Sequence, residues 1–303
     1  MKHKLLTFLV ILLVGLPALV SAQRWKRQRY EFALGIGATN FLGDLGGADQ
    51  IGTHYFKDFE WTMTRFAAAV SLRYKLSEFF ALNSHFTYGR VAGDDKLTKE
   101  FFRNYRNLNF WSDIYELNLN FEGAFQQEQI GHRYRLKRVK GIKAYEIYTY
   151  LFGGVGVFYF DPKTRFNGQK VRLRPLGTEG QGFVPTRKPY SEIQFCIPVG
   201  IGFKYTLDRK WGVGLELGIR KTFTDYIDDV SRTYFDYYYW EQKYGSEKAT
   251  YINSIADRSS HDHSYITAAG AQRGQPRYKD SYMFAIFSVN YKLRTGRNNL
   301  PLF

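Results

Sequence analysis

Three sets of residues in this chain could do chemistry, and each would need different partners. His261, Asp262, His263 and Ser264 stand together, and imidazole, carboxylate and hydroxyl are the parts of a nucleophilic hydrolase or acyltransferase. The two imidazoles at i and i+2 could instead hold a metal, but a tetrahedral ion takes four ligands and no others stand at a recognisable spacing. Solvated loop histidines are the expected reading, so no catalytic residue, metal or cofactor is assigned. Asp225, Asp228 and Asp229 crowd a second place, where they are expected to organise a loop by capping backbone N–H groups. Calcium binding is the sharper alternative. The third set is dispersed: Glu31, Arg65, Arg73, His85, Glu116, Glu122, Lys204, Glu216, Arg220 and Lys292. Each falls in a run where polar and apolar residues alternate, so its chemistry depends on what that run becomes.

The clearest of these runs lies within residues 191–229. Ile193, Phe195, Ile197, Val199, Ile201, Phe203 and Tyr205 alternate with Gln194, Cys196, Pro198, Gly200, Gly202, Lys204 and Thr206. After LDRK the pattern resumes, with Trp211, Val213, Leu215, Leu217 and Ile219 against glycines, Glu216 and Arg220. A period of two predicts strands, and the four-residue connection predicts a hairpin. The strands are long for a soluble sheet, and their small, charged face would make a poor core. Lipid outside and a polar lumen inside fit the pattern better, as in a tilted membrane-spanning strand.

Similar runs occur at residues 30–38, 64–76, 79–91, 111–125, 145–160 and 281–293. The run at 145–160 is glycine-rich and apolar on both faces, so its orientation stays open. Together these predict an all-β fold, an eight-stranded antiparallel transmembrane β-barrel. Connections alternate between long loops, the largest at about 226–280, and short turns. Such asymmetry places the loops outside the cell and the turns in the periplasm. A soluble lipocalin-like barrel would need an apolar interior, which the charged small faces argue against. Eight strands leave a lumen just wide enough for side chains, so the charges should pair inside it as a plug. Composition agrees: 24 Tyr, 26 Phe and 28 Gly suit aromatic belts and close-packed small faces.

The first 22 residues read as a secretory signal peptide, with Lys2 and Lys4, an apolar stretch and a small-residue site ending at Ala22. Residues 23–303 are then one barrel domain in the outer membrane, in contact with its lipids. The lone cysteine, Cys196, excludes an intrachain disulfide. Without Lys2 and Lys4 the chain keeps 41 basic residues against 28 acidic. That excess concentrates on the turn side: Arg24, Lys26, Arg27 and Arg29 in the leader, Arg133, Arg135, Lys137, Arg138, Lys140 and Lys143 before the fifth strand, the 208–210 turn, and Lys292, Arg294 and Arg297 at the end. A one-sided basic field attracts an acidic protein partner or anionic head groups, and nothing indicates nucleic acid.

Four segments, ATNFLGDLGG (38–47), TDYIDDVSRTY (224–234), ADRS (256–259) and QRGQPRYKDSY (272–282), resemble the PorG family of Bacteroidetes outer-membrane barrels. The resemblance spans the whole mature chain, and TDYIDDVS is its sharpest piece. It implies a structural part in type IX secretion, in which the barrel holds the periplasmic ring of the lipoprotein PorK and its partner PorN. That system exports proteins and, in gliding species, adhesins. The family brings no catalytic residues. A competing expectation is an adhesion or scaffold barrel that binds outside the cell through its tyrosine-rich stretch at 234–240.

Overall fold

The computed structural model describes residues 25–45, 61–126, 128, 147–296 and 300–302. The signal-peptide segment, Arg24 and the basic run Arg133, Arg135, Lys137, Arg138, Lys140 and Lys143 lie outside the described residues.

Eight strands close a ring: β1 (Tyr30–Leu42), β2 (Arg65–Lys75), β3 (Phe80–Asp94), β4 (Asn109–Ala124), β5 (Tyr148–Tyr159), β8 (Ile193–Thr206), β9 (Trp211–Thr222) and β10 (Ser281–Thr295). The order β3-β2-β1-β10-β9-β8-β5-β4 is antiparallel throughout, and β4 pairs back onto β3. A closed ladder leaves no edge, which is the condition for a sheet to cross lipid. The short hairpin β6 (Pro162–Phe166) and β7 (Gln169–Arg172) extends β4 at the loop end, and β11 (Pro301–Leu302) pairs the end of β10.

The barrel is inside out. Leu34, Phe66, Phe86, Leu117, Val155, Phe195 and Phe287 are half exposed or more on the outer face, while Glu31, Arg73, Glu116 and Lys204 are buried. Rings pair in two belts. Tyr30 with Tyr74, Phe80 with Phe121 and Trp211 with Tyr291 mark the turn end, and Tyr88, Tyr115 and Tyr159 mark the loop end. Along β3 the belts are separated by the rise from Phe80 to Tyr88. At about 3.4 Å per residue and a tilt of about 40°, that spans roughly 20 Å of bilayer. The chain is a transmembrane β-barrel.

β5 turns its aromatics inward, with Tyr148, Tyr150, Phe152 and Phe158 buried and Leu151 and Val155 facing lipid. Glycines on the neighbouring strand β8, directly opposite in the ladder, make the room. A Cβ on Gly202 would stand 2.1 Å from Cζ of Tyr150, and one on Gly200 would stand 2.5 Å from Cζ of Phe152.

The described parts of the long connections are folded, where the sequence reading expected loops. Helix α1 (Phe101–Arg106) is capped by Glu100, which accepts from the N–H groups of Phe102 and Arg103. The largest connection holds α2 (Tyr237–Tyr244) and α3 (Ser246–Ala256), joined at Gly245 with φ of 82°. Trp240, Ala249 and Ile252 are buried between them. The tyrosine-rich stretch is thus partly core: Tyr234 and Trp240 are interior, while Tyr238 and Tyr239 are exposed.

Candidate functional site

The lumen is filled in tiers. At the turn end, Lys75, Lys204 and Lys292 converge from β2, β8 and β10 on one carboxylate, Glu128, just beyond β4. Lys292 Nζ lies 2.6 Å from Glu128 and Lys204 Nζ 3.0 Å, Lys75 is ion-paired to it, and Thr206 Oγ1 donates to it at 2.9 Å. Lys204 also reaches Glu31 at 2.6 Å.

The middle tier centres on Arg73. It pairs with Glu31 at 3.1 Å, its partner in the β1–β2 register, and with Glu122 at 2.7 Å and Glu216 at 3.6 Å. Its guanidinium lies 4.7 Å from the centre of the Tyr150 ring, and Tyr150 Oη donates to Glu216 at 2.5 Å. Asn83 Nδ2 donates to Glu122 at 2.6 Å, and His85 Nε2 stands 3.8 Å from Glu216. A cavity of about 10 Å³ beside Arg73 and His85 has room for about one water.

Towards the loop end, Glu116 pairs with Arg220 at 3.2 Å and accepts from Tyr282 Oη at 2.7 Å and Asn118 Nδ2 at 2.5 Å. Above it Ile114, Phe158, Cys196 and Phe284 close the lumen with apolar contact. Among the described residues, five carboxylates (Glu31, Glu116, Glu122, Glu128, Glu216) thus face five cations (Lys75, Lys204, Lys292, Arg73, Arg220). A buried charge left unpaired would cost several kcal/mol, so this balance is what lets the lumen close.

Over the loop end the connections form a cap, held by acids. Asp228 accepts from the N–H of Leu45 at 3.0 Å and of Val230 at 2.9 Å, tying the first long connection to the last. Asp229, in the left-handed region at φ 65°, accepts from Tyr190 Oη at 2.7 Å and from Thr178. Asp225 accepts from Ser231 Oγ at 2.7 Å, and Asp280 from the N–H of Ile227 at 2.9 Å. Arg273 braces the cluster through Glu179 at 3.0 Å and the carbonyl of Asp229 at 2.7 Å. Burial raises the carboxyl of Asp225 to about 7 and of Asp229 to about 6, and it raises Asp228 and Asp280 well above the usual range, with repulsion from neighbouring carboxylates adding to it. Of the three acids in TDYIDD, only Asp228 caps backbone among the described residues; the other two hold hydroxyls.

A family model described as "Domain of unknown function (DUF6089)" matches residues 5–254. The chain belongs to that family. No curated protein matches it. Among solved structures it is similar to Ail, the attachment invasion locus protein of Yersinia pestis, at 8% identity and a TM-score of 0.38, covering 88% of this chain and 99% of that one. It is also similar to Neisserial surface protein A, at 9% identity and a TM-score of 0.37, covering 87% and 96%. The N-terminal β-barrel domain of Pseudomonas aeruginosa OprF gives 9% identity and a TM-score of 0.34, covering 88% and 98%.

Of the charges expected in the lumen, Arg65 lies apart. Its guanidinium bonds the carbonyls of Thr62 and Thr64 at the loop rim, because β2 begins there and the lumen network lies nearer the opposite end. Lys292, counted in the sequence reading with both the lumen and the basic tail, is buried against Glu128. Glu128, which precedes the basic run in the chain, belongs to the lumen with Lys292. Lys75 and Glu128 were missed. Parity along β2 could have found Lys75, but Glu128 stands past its strand, where alternation says nothing.

Ligand atoms of His85, Glu122 and Glu216 lie within 4.8 Å of one another, a spacing that would suit a metal ion. Arg73 already supplies the cation to both glutamates, so the trio does not need one. The 261–264 residues do not converge. Both Ser259 Oγ and Asp257 approach the same nitrogen, Nδ1 of His261, at 3.2 and 3.5 Å, which leaves no relay from acid through imidazole to nucleophile. His263 instead packs its ring against Tyr105 and Phe101.

Proposed function

We propose that the chain is an outer-membrane barrel with a structural role, a component of type IX secretion that holds the PorK and PorN ring through a basic periplasmic face. The closed lumen carries this reading. A barrel filled by paired charges and sealed by Phe158 and Phe284 offers no path for solutes, so its work falls to its two faces. On the turn side Lys26, Arg27, Arg209 and Lys210 are exposed, and Gln28 Nε2 ties the leader to the β8–β9 turn through the carbonyl of Arg209 at 2.7 Å. The segment resemblances TDYIDDVSRTY and QRGQPRYKDSY support the same role.

The test neutralises Arg133, Arg135, Lys137, Arg138, Lys140 and Lys143 together. The barrel should still assemble, while affinity purification from membranes in mild detergent should no longer bring the ring and secretion should fall. Unchanged secretion would sink the docking idea. A second reading, an adhesion or scaffold barrel, is favoured by one observation: Tyr238, Tyr239 and Tyr265 stand 57%, 47% and 73% exposed on the cap. Their joint replacement by alanine would abolish surface attachment on that reading and leave it intact on the first.

A further inference from the structure

An open pocket of about 600 Å³ lies in the cap, between the β6–β7 hairpin and the C-terminal half of α3. That size suits a small polar ligand. The hairpin turns at Asn167 and Gly168, with φ of 48° and 78°, the signature of a two-residue type I′ turn that presents Asn167 at its tip.

The charges around this pocket are unbalanced. Arg258 is half buried, and its guanidinium donates to Thr164 Oγ1 at 2.8 Å and to the carbonyl of Arg165 at 3.2 Å. Its Nε is buried without a hydrogen-bond partner, and among the described residues no carboxylate lies within ion-pair distance of it, Asp94 acting on it only from farther off. Arg165 is exposed on the rim and likewise has no ion pair among the described residues. The lining's one carboxylate, Asp257, accepts from the N–H of Ser259 at 3.0 Å and faces His261, so its charge is turned aside. A partly desolvated guanidinium without a carboxylate in contact is costly, and an anion in the pocket would relieve it.

The remaining walls select for more than charge. The ring of Phe166 lies under Arg258 at 5.6 Å and is braced edge-on by Tyr251 at 5.8 Å, giving an apolar surface for the C–H face of a sugar ring. The amides of Asn167 and Asn253 each offer a donor and an acceptor, which suits neighbouring hydroxyls. We propose that this pocket binds an acidic saccharide, a sugar ring bearing a carboxylate or a phosphate. It goes beyond the secretion role and does not depend on it.

The experiment uses the full chain in detergent micelles, with saturation-transfer NMR and calorimetry. The probes are galacturonate, glucose 6-phosphate, glucose and inorganic phosphate. At least one acidic sugar should bind, with glucose and inorganic phosphate each weaker by roughly tenfold or more, since each lacks one half of the recognition. Galacturonate and glucose 6-phosphate tell carboxylate from phosphate. The double variant Arg165→Ala, Asn253→Asp changes solvent-facing groups and leaves the Arg258 contacts in place; it should bind roughly tenfold more weakly with the barrel intact on semi-native gels. The proposal falls if neither acidic sugar binds at millimolar concentration. It falls equally if glucose or inorganic phosphate binds as well as they do, or if the double variant binds like the parent.

Discussion

Glu128 and Lys292 meet at 2.6 Å, although one lies just past β4 and the other near the end of β10. They are not neighbours in any ladder. Only closure of the ring brings them across the lumen, together with Lys75 and Lys204, so a single carboxylate outside the strands is shared by three lysines.

Replacing Glu128 by glutamine should therefore be costly. Three buried ammonium groups would lose their shared anion, and a broken buried pair costs about 3–5 kcal/mol. Semi-native gels should show the variant unfolding at a clearly lower temperature than the parent. Lys292→Met, which removes one cation and leaves two, should cost less than Glu128→Gln. A parent-like Glu128→Gln would mean that the carboxylate does not hold this end of the barrel.

The lumen should not conduct. In planar bilayers the parent protein should give no steady current steps. The triple variant Arg73→Ala, Tyr150→Ala, Phe152→Ala removes the middle tier and the inward aromatics of β5, and it should open small, ohmic steps. Steady conductance in the parent would overturn the plugged-barrel reading.

Gly202 and Tyr150 form a matched pair. The three heavy atoms nearest a Cβ at Gly202 all belong to the Tyr150 side chain. Gly202→Val should block barrel assembly, scored by loss of the heat-modifiable folded band. Adding Tyr150→Ala should restore much of that band. If the double variant fails as badly as the single, the glycine serves the backbone and not the tyrosine.

The cap should be most stable in mild acid. Asp225 and Asp229 carry carboxyl groups raised to about 7 and about 6 by burial, against 3.8 as the ordinary value. Between these values the folded cap keeps protons that an unfolded chain has released, so stability falls as pH rises from about 4 to about 7. Limited proteolysis of the cap, normalised to an unfolded control, should be several-fold faster at pH 8 than at pH 5. Equal rates would show that these carboxylates do not govern it. Asp225→Asn should flatten the dependence.

Much of this was legible in the residue order, for a local reason. Side chains alternate across a strand whatever the strand pairs with, so period-two patterning assigned Glu31, Arg73, Glu116, Glu122, Lys204, Glu216 and Arg220 to one face and Leu34, Phe86 and Leu117 to the other. Eight such runs, with long and short connections in turn, implied the ring. β5 escaped this logic because both of its faces are apolar. Its orientation depends on space left by Gly200 and Gly202 on the paired strand β8, which is a fact about strand pairing and not about the run itself.

The cap escaped it for the same reason. Asp228 bonds Leu45 and Arg106 bonds the carbonyl of Arg273, joining segments far apart in the chain through contacts that no periodicity encodes. Arg65 keeps the parity of a lumenal residue, yet its height along β2 puts it at the rim. Sequence alone determined which way side chains face along most strands, because that depends on each residue's own backbone. Which charges meet, how high they stand and how the loops fold were decided by tertiary structure, because those depend on the closed ring.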